Sequence, residues 1–371
     1  MRYRGLEFSL IEFSGAFGDF GTLLPFALAY ITINGLEPFG IFFGIGITNI
    51  ILALIYRLPL PVQPKKAVGA VAIRERWHPN LIYGTGIALG LIWLLIGATG
   101  SINRLVTKIP KCVLRGIQLG LGLILAVEGA SMIQENLILG GAALIFAIVF
   151  MASRRVPTAL ILVSMGVLFS FFMEPILISK LNFGLSSPTL HFPSMGDMIY
   201  GLVFAGFAQL LLTLTNAIIA TIALIHDLFP DRKDVTPRNL VLNMGFMNTL
   251  TPFIGAMPMC HGAGGLAAQY SFGARTGGAC LMEGVVEILL ALFLAGSIDV
   301  VAKVFPFPIL GAMLMVAGLQ LGRVASDVRK SDELFVMLLT AVVALAFNIA
   351  AAFFVGLVAY LAIEKRWIKL G

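Results

Sequence analysis

Charge is what this sequence has least of. Only 12% of its 371 residues are Asp, Glu, Lys or Arg, about half the share of roughly 25% typical of soluble domains. That shortfall excludes a surface that meets water on every side. Uncharged runs cover 38–56, 79–103, 137–153, 156–173, 198–225, 239–260, 304–322 and 334–363, and a helix needs roughly 20 apolar residues to cross a bilayer. The period-two alternation of an outer-membrane barrel is missing. In lipid every backbone N–H and C=O must be satisfied within the protein, so helices remain. Cysteine is scarce as well: Cys112, Cys260 and Cys280 form no spaced framework, which argues against a disulfide scaffold or a zinc site. No Gly-x-x-x-x-Gly-Lys-Ser/Thr loop occurs, which argues against ATP-driven transport. Paired catalytic carboxylates and metal-ligand clusters do not stand out, so the expectation is a protein that is not an enzyme and carries no cofactor or metal. No cleavable leader is visible, because Glu12 and Asp19 interrupt the first apolar stretch. The net charge of +6 is better read as basic cytoplasmic loops than as a nucleic-acid surface.

What is present is an all-α membrane protein of about fourteen segments. They fall near 9–32, 37–56, 65–76, 80–101, 112–132, 136–153, 156–176, 199–225, 237–253, 260–272, 277–297, 303–322, 333–347 and 348–364. As one helix, 334–363 would run about 45 Å, so it is either one steeply tilted helix or two short ones hinged near Asn348. Alternating sides from a cytoplasmic N-terminus places the basic residues of the connections and termini, Arg104, Lys108, Arg154, Arg155, Arg366 and Lys369 among them, on the cytoplasmic face. The exceptions are Arg74, Arg76, Lys180 and Lys303 outside, and Lys65 and Lys66 within a segment. That bias supports a multi-pass protein of the cell membrane with both termini in the cytoplasm. No soluble domain follows the last apolar run.

Fourteen divides into two sevens, 1–178 and 196–371, and an odd number inverts the second half relative to the first, as in many transporters. A weak echo supports the division. Arg57-Leu-Pro-Leu-Pro-Val-Gln-Pro-Lys-Lys66 precedes a short Gly/Ala-rich segment, and so does Thr251-Pro-Phe-Ile-Gly-Ala-Met-Pro-Met-Cys-His261. Proline removes a backbone donor and fixes φ, so each stretch is expected to enter the membrane extended before a half-length helix begins. Irregular backbone at that depth is tolerated only beside protein or water. Two helix N-termini facing one another carry partial positive charge and make an anion site. A single such break would be read as a simple kink; two at matching places favour the site.

The same residues resemble a known family. Pro59-Leu-Pro-Val-Gln-Pro-Lys-Lys-Ala-Val-Gly-Ala-Val-Ala-Ile73 and Met257-Pro-Met-Cys-His-Gly-Ala-Gly-Gly-Leu-Ala-Ala-Gln-Tyr-Ser-Phe-Gly-Ala-Arg-Thr-Gly277 resemble the two signatures of the molybdate transporter family, a branch related to sulfate permeases. Glu12–Pro25, Gln209–Thr221 and Asp227–Pro230 look similar to it too. The resemblance implies a core domain of segments 1–4 and 8–11 and a gate domain of segments 5–7 and 12–14. It implies an anion held between half-helices 3 and 10, elevator-like movement and a homodimer. Sulfate permeases usually add a C-terminal cytoplasmic regulatory domain; the expectation here is that there is none. The fold is shared with nucleobase permeases, whose Asn-x-Gly signature is absent from the tenth segment.

Candidate site residues follow. Gln63 can donate to an oxyanion or satisfy backbone. Lys65 and Lys66 open half-helix 3; either can offer positive charge to the substrate, while the other snorkels or pairs with an acid. Cys260, His261, Gly262, Ala263 and Gly264 open half-helix 10, where small residues admit an anion to backbone N–H groups or let helices pack closely. Ser14, Asp19 and Thr22 are polar positions on the first segment. Asp19 is a candidate for a coupling proton or for pairing with Lys65 or Lys66. Gln209, Thr213 and Asn216 share one helical face. Glu283 and Glu287, one turn apart, are costly in lipid and are candidates for coupling or ion pairing. The leading reading is a secondary transporter of molybdate. Alternatives are a sulfate or tungstate carrier or an anion channel of the same fold.

Overall fold

The computed structural model describes residues 2–3, 5–100, 110–150, 158–181, 183–365 and 367. Arg4, Arg104, Lys108, Arg154, Arg155, Arg366 and Lys369, used above for orientation, lie outside the described residues.

Helix breakers and caps set the element boundaries. An antiparallel pair of two-residue strands, β1 (Arg2–Tyr3) and β2 (Leu6–Glu7), opens the chain; no residue pattern announces it. The first segment is two helices, α1 (Leu10–Ala16) and α2 (Phe20–Thr32), joined by a 3-10 turn at Phe17–Asp19. Helix α3 (Pro38–Tyr56) has proline in its first turn and ends on Arg57 at φ 52. Strand β3 (Val62–Pro64) and the nine-residue α4 (Lys66–Arg74) follow. Helix α5 (Pro79–Thr99) ends on Gly100 at φ 67, the left-handed stop that glycine makes without steric cost. Helices α6 (Lys111–Ile133), α7 (Leu137–Phe150), α8 (Thr158–Met173) and the short α9 (Leu177–Lys180) come next.

Then comes α10, a continuous helix over Met195–Leu228. Two stretches of it, Leu202–Gly206 and Thr213–Ala220, are π-helical. Helix α11 (Pro237–Leu250), strand β4 (Met259–His261), the nine-residue α12 (Ala263–Ser271), α13 (Gly278–Lys303) and α14 (Phe307–Arg323) follow. The 334–363 run is two helices, α15 (Ser331–Ala346) and α16 (Ile349–Glu364). The hinge is a cap: Asn348 is extended, and its Oδ1 accepts the Ala351 N–H at 2.8 Å.

Among the described residues six helices are long and apolar enough to cross a membrane: α3, α5, α6, α10, α13 and the stretch Phe307–Asp327. Exposed apolar side chains form stripes at helical spacing, such as Ile51, Leu54 and Ile55 on α3 or Leu91 and Leu95 on α5. Stripes of that size are stable against lipid rather than water. The chain is a helical, multi-pass membrane protein.

The helix pairs that build the interior are reciprocal. Gly46 of α3 meets Gly284 of α13, and each would drive an added methyl into the other's carbonyl oxygen. Helices α5 and α11 also cross closely, with Gly90 against Asn248 and Thr249 and Gly245 against Leu94. Helices α6 and α14 touch twice, Gly122 against Gly318 and Gly129 against Gly311, again backbone on backbone. Small residues permit this closeness where there is no hydrophobic drive between helices.

Candidate functional site

The two proline-rich stretches come together. Strands β3 and β4 pair antiparallel, with Val62 opposite His261, Gln63 opposite Cys260 and Pro64 opposite Met259. Three residues of strand cannot satisfy their own backbone, and neighbouring helices supply the rest. Asn49 of α3 accepts the Val62 N–H at 3.0 Å. Asn248 of α11 accepts the Met259 N–H at 2.9 Å and donates to the Met259 carbonyl at 2.7 Å. The Lys65 N–H reaches the Pro258 carbonyl at 2.9 Å. Sequence reasoning missed both asparagines. Their signal was a polar side chain in the middle of an apolar helix, 13 and 11 residues ahead of the strand each one holds.

From this crossing α4 and α12 run onward. At α4, Gln209 Oε1 accepts the Ala67 N–H at 2.9 Å while its Nε2 donates to Thr213 Oγ1 at 3.0 Å. At α12, Gly262 is the cap residue and no side chain covers the first turn. Gln63 Nε2 donates to Asp19 Oδ1 in a short contact, and its amide lies against Gly262 and Gly265. Gln63 therefore ties the first segment to the start of α12. Asp19, a candidate for a coupling proton or for pairing with Lys65 or Lys66, accepts from Gln63 through one oxygen, and among the described residues no salt bridge involves Asp19, Lys65, Lys66, Glu283 or Glu287.

A cavity of about 660 Å³ adjoins the crossing. Of the candidate residues, Thr22, Lys66, Asn216 and Gly264 line it. Lys65 does not line it; it is fully buried, and its Nζ has no hydrogen-bond partner among the described residues. His261 is equally buried, with both ring nitrogens unpartnered and Tyr56 edge-on at 5.9 Å. Cys260 lies on the strand opposite Gln63, and Ala263 is the first residue of α12. Ser14 is exposed on α1 and stands away from the cavity. The polar stripe Gln209, Thr213, Asn216 is split. Gln209 and Thr213 are buried and bond each other, and only Asn216 reaches the cavity, because the π-helical turn from Thr213 abandons the spacing that would keep all three on one face. Glu283 and Glu287 sit on α13, behind the crossing. Gln269 Nε2 donates to Glu283 at 2.6 Å and Asn49 Nδ2 donates to Glu287 at 3.0 Å. The opposite wall of the cavity was not anticipated: Gln118 of α6 and Gln320 of α14 line it with Leu125 and Met313.

A family described as "Molybdate transporter of MFS superfamily" matches residues 11–125 and 201–321, taking in both strands, both nine-residue helices and the cavity wall of α6 and α14. The chain belongs to the molybdate transporter family. Molybdate transporter 2 of Arabidopsis thaliana is 32% identical over 96% of this chain and 87% of its own length. Molybdate transporter 1 of Chlamydomonas reinhardtii is 29% identical over 95% and 91%. Among solved structures, the transmembrane domain of the cyanobacterial bicarbonate transporter BicA aligns over 96% of this chain and 98% of its own, with a TM-score of 0.71 and 15% identity. Murine Slc26a9, an anion transporter in its inward-facing state, aligns over all of this chain and 70% of its own, with a TM-score of 0.72 and 13% identity. This member of the molybdate transporter family therefore has a sulfate-permease-like fold.

Proposed function

We propose that the chain is a secondary active transporter of a tetrahedral oxyanion, molybdate. The ion is held between the N-termini of α4 and α12 and carried by elevator-like movement of a core against a gate. The observation that carries this reading is the β3–β4 crossing, from whose opposite ends two short helices start next to a cavity lined by Lys66 and Gly264. Electrostatics supports a dianion. Lys65, Lys66 and Asp19 together leave one formal positive charge, and two helix N-termini add about half a charge each. A cavity of about 660 Å³ is far larger than the ion, so the ion enters hydrated and exchanges water for protein donors only at the crossing.

The pairing of the helices supports a seven-plus-seven inverted repeat, 1–178 and 196–371. The pair α3 with α13 corresponds to α11 with α5, and α6 with α14 corresponds to itself. The core then comprises α1–α5 and α10–α13, and the gate comprises α6–α8 and α14–α16. The cavity lies along the seam between them, where an elevator slides. The basic loops support placement in the cell membrane with cytoplasmic termini, and homologous folds support a homodimer.

The test is uptake of labelled molybdate into proteoliposomes holding the purified protein. Gly264→Ala is the informative variant. A methyl group there meets no protein atom within 4 Å, and alanine favours helix by about 1 kcal/mol over glycine. The variant folds at least as stably as the parent, yet its methyl stands where the ion meets the start of α12. Saturable wild-type uptake, lost in Gly264→Ala and in Lys66→Gln, supports the reading. Wild-type uptake no greater than that of empty vesicles refutes it.

A further inference from the structure

The gate wall carries a donor with no acceptor. Gln118 is 3% exposed and lines the cavity from α6, as Lys66 and Asn216 do from their own helices. Arg115 Nη1 donates to its Oε1 at 2.8 Å. A guanidinium has no acceptor, so the amide orientation follows: oxygen toward Arg115, NH2 away from it. No protein group accepts from that NH2 among the described residues. Arg115 is itself fixed, because Asp327 accepts from its Nε at 3.0 Å and its Nη2 at 2.7 Å, and Lys111 reaches the same carboxylate at 2.8 Å. Helix α14, which carries Asp327 just beyond its end, is locked on α6 by the Gly122–Gly318 contact one turn from Gln118. An amide that is polarised by a cation, held at a set angle and open through its NH2 to the cavity is built to meet an acceptor that comes and goes.

We infer that Gln118 is a gate-side anion-binding residue: its NH2 donates to an oxyanion held at the β3–β4 crossing, so the ion is gripped from core and gate together. The inference rests on the transport reading and adds the gate to its site. The proposed core residues travel with the ion, whereas Gln118 does not. Its hydrogen bond therefore exists only while the ion faces this cavity and is given up when the core moves. Gln118 thus raises affinity on one face of the membrane without adding to the grip that persists through the cycle. Arg115 and Asp327 are positioning residues that aim the amide.

The experiment compares Gln118→Glu and Gln118→Met with wild type by calorimetric titration of molybdate into purified protein, by proteoliposome uptake, and by the melting temperature without anion. A carboxylate at 118 keeps or strengthens the Arg115 contact but cannot donate to an anion and adds like charge. Methionine keeps the volume and removes the amide. We expect both variants to weaken molybdate binding by tenfold or more, the scale of a lost hydrogen bond to a charged group, with the melting temperature of Gln118→Glu unchanged. A Gln118→Glu protein that binds molybdate as wild type does overturns the inference and leaves Gln118 as a mere acceptor for Arg115, with the transport reading intact. Wild-type protein that neither binds nor transports molybdate overturns both. Should Gln118→Met misfold, Gln118→Glu decides alone.

Discussion

Replacing Asn248 with alanine isolates the holding of a three-residue strand from the chemistry of the ion. Asn248 is fully buried and contacts no part of the cavity. Its side chain makes two bonds to Met259, accepting at 2.9 Å and donating at 2.7 Å. Truncation leaves the Met259 N–H and C=O unpaired in a site that water does not reach, and each orphaned group costs about 1–3 kcal/mol. The expected loss is about 2–6 kcal/mol, a large fraction of the stability of any folded domain. Asn49→Ala frees the Val62 N–H and one oxygen of Glu287, so a loss of the same size is expected from the other half. The two strands pair with each other, so the double variant should lose less than the two single losses combined. The assay is thermal unfolding of the purified protein in detergent, read by the fraction that stays monodisperse after heating, beside molybdate uptake. Ser164→Ala, at an exposed hydroxyl that bonds only its own helix through the Leu160 carbonyl, is the control. An Asn248→Ala protein with wild-type melting and wild-type uptake refutes the argument that the crossing depends on these asparagines.

Further outcomes follow from other contacts. Gly122→Ala pushes a methyl into the Gly318 carbonyl and should cost about 1–3 kcal/mol by overpacking, visible as a lower melting temperature, whereas Gly21→Ala, with open space around it, should melt as wild type does. Lys66→Gln should abolish saturable molybdate uptake with little change in melting. Lys65→Gln removes a buried charge that has no partner and should raise the melting temperature. Asn348→Ala removes the cap of α16 and should cost about 1 kcal/mol, read from the same melts.

Much of the molecule was legible in the sequence because the bilayer imposes one strong rule, that a run of uncharged residues long enough to span becomes helix. The prolines at 61, 64 and 258 marked the extended stretches, and the glycines at 262 and 264 marked an uncapped helix start. What stayed hidden depended on partners remote in the chain. The β3–β4 pairing joins residues about 200 positions apart and leaves no periodic trace. Gln63 looked free to reach a ligand until Asp19 was found to hold it. Gln209 and Asn216 looked like one face until the π-helical turn separated them. Gln118 drew no notice because a single glutamine in an apolar helix resembles many packing glutamines; only the Arg115 contact and the cavity distinguish it.

The strand crossing has a consequence for selectivity. Two helix starts that emerge from one hydrogen-bonded seam are spaced by the seam itself. The gap between them is a caliper whose jaws are backbone and whose screw is the pair of asparagines behind. With the ion proposed to sit in that gap, enlarging the jaws to accept a bigger oxyanion is less a matter of trimming residues at the gap than of moving Asn49 and Asn248 behind it. Variants selected for a changed preference among tetrahedral anions should accumulate on α3 and α11.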